Sequence, residues 1–311
     1  MSQKNKTKLI LCSGLLVWMV TFFFFLNQSK HEHSLVFAKI LPPYFLDSTL
    51  NNRYVVIHDI IDTAKINPNI DPNLIIYDTT KIDTSKNIAS AYSLRSYAPP
   101  VMSQGNLGSC VSWATAYAGL TIVKGIEQNQ KVDPYSPLNL YIRYKKLMNE
   151  QTCSDGASLP YALNLLKNNG CVKFNLFKNS CYANDVSEDV EYSDKLFSYS
   201  TIDHYEINKI KSAISSKMPV SIAIKTYSGD SWQNAKLYNG VWSGYVSGIV
   251  NGGHAMCLIG YDDTKDGGAF EIMNSWGADW GDNGFFWIKY KDFPLYVDEC
   301  YAMMLINSKF N

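Results

Sequence analysis

The 311-residue chain carries 28 Lys and Arg against 28 Asp and Glu, so its formal net charge is zero. That balance excludes a nucleic-acid binder that works by neutralising phosphates. Hydrophobic residues make up 46% and charged residues 18%, which suits a large buried core and not a chain disordered throughout. Seven cysteines are too few for a disulfide scaffold at this length, yet leave room for bonded and reactive thiols.

Lys4, Lys6 and Lys8 precede an uncharged run from Leu9 to Leu26. Its 18 residues fall near the short limit of a bilayer-spanning helix, about 17–25 residues. They exceed the ~7–15 apolar residues of a cleaved secretory signal. No small-x-small cleavage site follows directly, since the chain continues Asn27-Gln28-Ser29-Lys30-His31. The expectation is therefore a signal anchor at 9–26, with 1–8 inside and the rest of the chain outside. A secreted chain with a cleaved signal is the alternative. Either way the remainder is exported, and disulfides are permitted. Positions 27–95 read as a stalk or pro-region. Short strands are expected at 54–57 and 74–77, with Pro42-Pro43, Pro68 and Pro72 interrupting the segment. His31 and His33 flank Glu32, but two histidines without further ligands suit a solvated stalk better than a metal site.

From about position 96 regular patterns begin. Val111, Ala114, Ala118, Ile122 and Ile126 recur at three- and four-residue spacings and predict a helix over 111–126. Ser136-Pro137 is an N-cap followed by a first-turn proline, opening a second helix that runs through Leu147. A third starts at Ser158 and stops at Gly170. A fourth covers about 206–216. Strands are expected at 220–226, 255–261, 270–274, 285–290 and 301–306. A helical half thus precedes a β-rich half, and a cleft between such halves is a natural place for a site.

The chemistry-bearing residues fall in four places. In Gln104-Gly-Asn-Leu-Gly-Ser-Cys110, the cysteine begins the first helix. Unpaired N–H groups and the helix dipole there favour a thiolate, the nucleophilic form. A buried structural cysteine is the bland alternative. Gly252-Gly253-His254 places a histidine beside two residues that clear space. Asn274-Ser275-Trp276-Gly277 offers an amide to orient an imidazole and an indole to screen that bond from water. Gln104 could donate its amide to an oxyanion beside the Cys110 N–H.

With these residues in this order, the chain from about Leu94 to Met304 resembles the papain-like cysteine peptidases. Trp280-Gly281 and Gly284-Phe285 add to the match. The resemblance implies an α+β, two-lobed fold, with a helical N-terminal lobe, an antiparallel β-rich C-terminal lobe and the site in the cleft between them. It implies Cys110 as nucleophile, His254 as general base and then acid, Asn274 as the orienting residue and Gln104 as oxyanion donor. Trp276 would shield the His–Asn bond at the edge of the substrate site. Gly156 matches the glycine whose backbone pairs with the substrate backbone. The substrate would be a peptide or protein, with no metal or organic cofactor.

Departures are visible as well. Asp155-Gly156 stands where the family has two glycines. Val111 stands where an aromatic usually follows the nucleophile, and Trp113 is expected to supply that packing. Leu107 replaces the cysteine to which one like Cys153 is usually bonded, so Cys153 must be free or differently paired. Among Cys153, Cys171, Cys181, Cys257 and Cys300, the pair Cys171–Cys181 is the expected bond, being close in sequence. Positions 27–95 lack the charged helical pattern of the family's inhibitory pro-regions. Asp262-Asp263 and Asp266-Gly267-Gly268 imply a long hairpin between His254 and Asn274. Other Cys–His acyl transferases, among them transglutaminases, amidases and ligases, and an inactive tethered peptide-binding module are the rival readings.

Overall fold

The computed structural model describes residues 82–85, 87–150, 152–177, 181, 192, 194–228, 237–238, 240–242 and 248–304. The expected anchor, the strands at 54–57 and 74–77 and the histidine pair at His31 and His33 lie outside them. Among the described residues no helix is long and apolar enough to cross a membrane.

The first helix, α1, runs over 110–128 as three continuous stretches, Cys110–Ser112, Trp113–Leu120 and Thr121–Gln128. Its apolar stripe Val111, Ala114, Ala118, Ile122 and Ile126 is buried, as the spacing predicts. The middle stretch is wound as a π-helix, a widening common at functional sites. Asn129 ends α1 in the left-handed conformation, φ 51°, its N–H returning to the carbonyls of Gly125 and Ile126. Helix α2, Pro137–Leu147, opens as expected, with the Ser136 hydroxyl accepting from the Asn139 N–H at 3.1 Å. Helix α3, Leu159–Asn168, is followed by Gly170 at φ 81°. A Cβ at Gly170 would lie 2.6 Å from the Asp194 carbonyl oxygen, so the chain reverses there only because the residue is glycine. Helix α4 is Ile207–Ser215, as expected.

The described strands form one nine-stranded sheet. They are β1 Ala91–Ser93, β2 Ser198–Thr201, β3 Val220–Tyr227, β4 Leu237–Tyr238, β5 Val241–Trp242, β6 Val250–Asp262, β7 Ala269–Met273, β8 Phe285–Lys289 and β9 Val297–Met304, the last preceded by α5, Phe293–Tyr296. The order is β2-β9-β3-β6-β7-β8-β5-β4, with β1 on β6. Every pairing is antiparallel except β5 with β8.

Strand β6 is the spine of the sheet and begins earlier than position 255. Its first residues, Gly252 and Gly253 among them, pair with Thr226 and Lys225 of β3, and this ladder overrides the low strand preference of two glycines. β9 likewise starts before Tyr301, carried by pairing with β3. The turn from β6 to β7 is the long hairpin expected, with Asp266, Gly267 and Gly268 all at positive φ.

Helix α1 packs closely on the sheet. A Cβ at Gly119 would sit 2.3 Å from the Met303 sulfur on β9. Glu271 on β7 is 2% exposed. It accepts from the Ser93 hydroxyl at 2.5 Å and pairs with the Arg95 guanidinium at 3.1 Å, fastening the segment after β1 to the sheet. The outcome is the expected α+β arrangement, a helical half and an antiparallel-rich sheet half, meeting where α1 begins against β6.

Candidate active site

Cys110 stands at the first turn of α1, delivered by the loop 104–109. Gly105 turns that loop at φ 63°. Gly108 then passes so close to the turn 153–156 that a Cβ would fall 2.3 Å from the Asp155 carbonyl oxygen. In that space its N–H donates to the Cys153 carbonyl at 2.9 Å. Among the described free cysteines, Cys110 is partly exposed, whereas Cys171, Cys257 and Cys300 are buried. The backbone N–H groups of Ala255, Val111 and Cys110 itself favour the thiolate form of the Cys110 sulfur. Burial outweighs them and leaves the thiol above its ordinary range. The helix start therefore acts in the expected direction, but desolvation reverses the net effect.

Ala255, whose N–H favours that thiolate, directly follows His254 on β6. His254 is 6% exposed. Its Nε2 lies 2.8 Å from Asn274 Oδ1 at the end of β7. The same oxygen accepts from the Ser275 N–H at 2.8 Å. That second bond identifies the Asn274 atom as oxygen, so Nε2 carries the hydrogen and Nδ1 is the free acceptor. Burial pushes the imidazole down to about 4, with the Asn274 bond acting the other way. Trp276 stacks on the ring at a centroid separation of 4.5 Å and an interplanar angle of 22°. Gly252 and Gly253 lie in regular strand pairing rather than in a conformation only glycine adopts.

Gln104 joins the two halves. Its backbone N–H donates to the Ser275 carbonyl at 2.8 Å. Its Oε1 accepts from the Ser275 hydroxyl at 2.7 Å, and its Nε2 donates to the Leu107 carbonyl at 2.9 Å. One amide hydrogen remains for an incoming oxygen. Gly156 is exposed, and a Cβ built on it would meet no atom within 4 Å. Its turn is held from below by α2. The Tyr141 hydroxyl donates to the Asp155 carbonyl, and the buried Lys145 ammonium bonds the Glu150 carboxylate and lies 3.6 Å from that of Asp155.

The disulfide differs from expectation. Cys153 bonds to Cys181, with a Cα–Cα distance of 6.1 Å. Cys171 is instead a buried free thiol, its sulfur 3.2 Å from the Ser136 carbonyl oxygen. Closeness in sequence misleads here because Cys171 faces inward under the start of α2. Trp113 provides the aromatic packing expected of it, against Tyr117 and Phe174. The Ala255 N–H, the Ser275 hydroxyl and the Lys145 cluster have no signal in sequence patterning, since each acts through tertiary placement. Among the described residues no three His, Cys, Asp or Glu side chains gather as metal ligands would.

A partly exposed thiol at a helix start, an imidazole fixed by an asparagine, and a glutamine amide tied to Leu107 before the thiol and to Ser275 after the asparagine form an arrangement suited to acyl transfer. Residues 88–304 match the model of the papain family cysteine protease. The chain belongs to the papain family.

Among its relatives, an uncharacterized peptidase C1-like protein of Acanthamoeba polyphaga mimivirus is 28% identical over 74% of this chain and 75% of its own length. Cathepsin J of Mus musculus is 31% identical over 61% of this chain, and the oryzain gamma chain of Oryza sativa subsp. japonica 29% over 60%. This chain spans 56% and 51% of those two proteins. In fold it is similar to xylellain, a cysteine protease from Xylella fastidiosa, with a TM-score of 0.61 at 22% identity over 84% of this chain and 100% of that one. Bromelain from Ananas comosus superposes with a TM-score of 0.56 at 20% identity over 70% and 100% of the two chains. This papain-family chain thus has the α+β fold of its structural neighbours, and its four motif elements lie at the junction of helix and sheet.

Proposed function

We propose that this papain-family chain is an exported thiol peptidase that hydrolyses peptide bonds through an acyl-enzyme on Cys110. The observation that carries the reading is the His254–Asn274 bond at 2.8 Å, with the N–H of the next residue, Ala255, favouring the Cys110 thiolate. It leaves Nδ1 of the ring as the base for the thiol.

In the resting pair, burial keeps the thiol protonated and the imidazole neutral. On substrate binding, His254 Nδ1 takes the thiol proton while the sulfur attacks the peptide carbonyl carbon. The carbonyl oxygen gains negative charge and is held by the free Gln104 amide hydrogen and the Cys110 N–H. The C–N bond then breaks, the leaving amine takes the proton from His254, and a thioester remains. A water gives its proton to His254 and its oxygen to the thioester carbon. The sulfur departs with the proton restored, and the carboxylic product leaves. The Gly156 backbone pairs with the substrate strand.

Two features support export. The Cys153–Cys181 disulfide suits an oxidising compartment, and the lysines before the apolar run 9–26 suit a membrane anchor with the peptidase outward. The test is a peptide library exposed to the purified protein, with Cys110→Ala as control. Cleavage that the control abolishes supports the proposal. Peptide binding without cleavage would favour the inactive binding module, and new amide bonds with added amine would favour a ligase.

A further inference from the structure

Beneath the site, between α1 and strands β6 and β7, lies a cavity of about 10 Å³ whose walls include Trp113, Ala255, Met273, Asn274 and Ser275. A single water needs roughly 10–15 Å³, so the space admits one water and nothing larger. Two of the lining side chains carry nitrogen donors with no acceptor among the described residues, Trp113 Nε1 and Asn274 Nδ2. The residues are only 6% and 3% exposed. A donor buried without a partner is costly, and two on one cavity call for a shared acceptor. They cannot serve each other, because Asn274 Oδ1 already accepts from His254 and Ser275. The Ser275 hydroxyl gives its hydrogen to Gln104 Oε1 and so retains lone pairs for a further bond.

We propose that Trp113 is a positioning residue of this site, its indole N–H and the Asn274 amide sharing one bound water whose own hydrogen goes to the Ser275 hydroxyl. A water has two lone pairs for the two donors and a hydrogen for the serine, so all three groups are satisfied at once. The water fixes the face of the Asn274 amide. Were that amide to turn over, Nδ2 would meet His254 Nε2 and draw the ring into the other tautomer, with its hydrogen on Nδ1. That tautomer cannot take a proton from Cys110. Trp113 lies one turn along α1 from the nucleophile, so the helix that carries the sulfur also governs the state of the base.

The water stands on the cavity and its donors; the consequence for turnover rests on the peptidase reading above. The experiment compares the wild type, Trp113→Phe, and a protein with a benzothienyl isostere at position 113 that keeps the ring shape and lacks the N–H. Atomic-resolution crystal structures of all three are paired with nitrogen NMR of the His254 ring. The wild type should show one water within hydrogen-bond distance of both nitrogens and a single Nε2–H tautomer. Both variants should lose the water and show the Nδ1–H form beside it. The kcat should fall about fivefold with KM changed less than about twofold, the scale of one lost neutral hydrogen bond. The isostere separates loss of the N–H from loss of packing. A dry cavity in the wild type, or an unchanged tautomer in the isostere protein, overturns the inference. If the water and tautomer behave as described but the wild type cleaves no peptide, the inference stands and the peptidase reading fails.

Discussion

His254 lies on β6 and Asn274 directly follows the adjacent antiparallel strand β7, and their side chains meet at 2.8 Å between Nε2 and Oδ1 under the stacked ring of Trp276. Asn274 Oδ1 is held in turn by the Ser275 N–H, so the imidazole is oriented by a group that is itself oriented. Asn274→Ala would leave a buried Nε2–H without an acceptor. A stability loss of about 1–3 kcal/mol follows from that unpaired donor. The kcat should fall about tenfold to a hundredfold, part of the roughly 10²–10⁴ that a positioned base contributes. Denaturant melts and steady-state kinetics on one peptide measure both, and full activity in a folded variant would remove Asn274 from the mechanism.

Gln104 has a bland role in view, since its side chain bridges Leu107 and Ser275. Gln104→Ala should therefore cost some stability whether or not it takes part in chemistry. Losing an oxyanion donor typically costs about 10²–10³ in kcat, and the lower end is expected for a thiol. KM should change little, because the bond strengthens only as charge develops. A shifted melting curve with unchanged kcat would assign Gln104 to structure alone.

Burial moves His254 from an ordinary value of about 6.5 to about 4 in the folded protein. Between those values the unfolded chain binds a proton that the folded chain does not, so stability rises with pH across that window. The contribution is fully present above about pH 6.5 and is lost as pH falls toward about 4. Urea titrations from pH 4 to 7 should show this slope in the wild type and a shallower one in His254→Gln. The acid limb of kcat/KM, which reports the free enzyme, should lie near 4. A limb centred near 6.5 would show that the ring is not held neutral by burial.

Cys110, His254, Asn274 and Gln104 were legible as a group because each sits in a short local motif and the motifs occur in a distinctive order. The helices were legible from periodicity and caps, as at Ser136 and Gly170. What escaped depends on distant partners. β6 extends through Gly252 and Gly253 only because β3 lies beside it. The direction of the Cys110 shift follows from how deeply the sheet buries α1, which no spacing reveals. The bond to Cys153 came from Cys181 because Cys171 points inward, and sequence separation carries no such directional information.

That disulfide closes a loop with a sequence separation of 28 and fastens the turn that carries Gly156. Replacing both Cys153 and Cys181 by Ser should cost about 3.6 kcal/mol by loop entropy. On the proposal that the Gly156 backbone pairs with the substrate strand, KM should rise severalfold while kcat holds. Thermal melts and kinetics test this together. A fall in kcat with KM unchanged would mean that the turn supports the reacting groups instead.

The central claim is that Cys110 forms the acyl-enzyme. Its most direct test is to trap that species, by quenching the wild type during turnover of an activated ester of a peptide and mapping the added acyl mass, with Cys110→Ser measured alongside. The account predicts acyl mass on Cys110 alone, and a folded Cys110→Ser protein that has lost nearly all peptide hydrolysis. Acyl mass on another residue, or more than a trace of turnover in the serine variant, would contradict it.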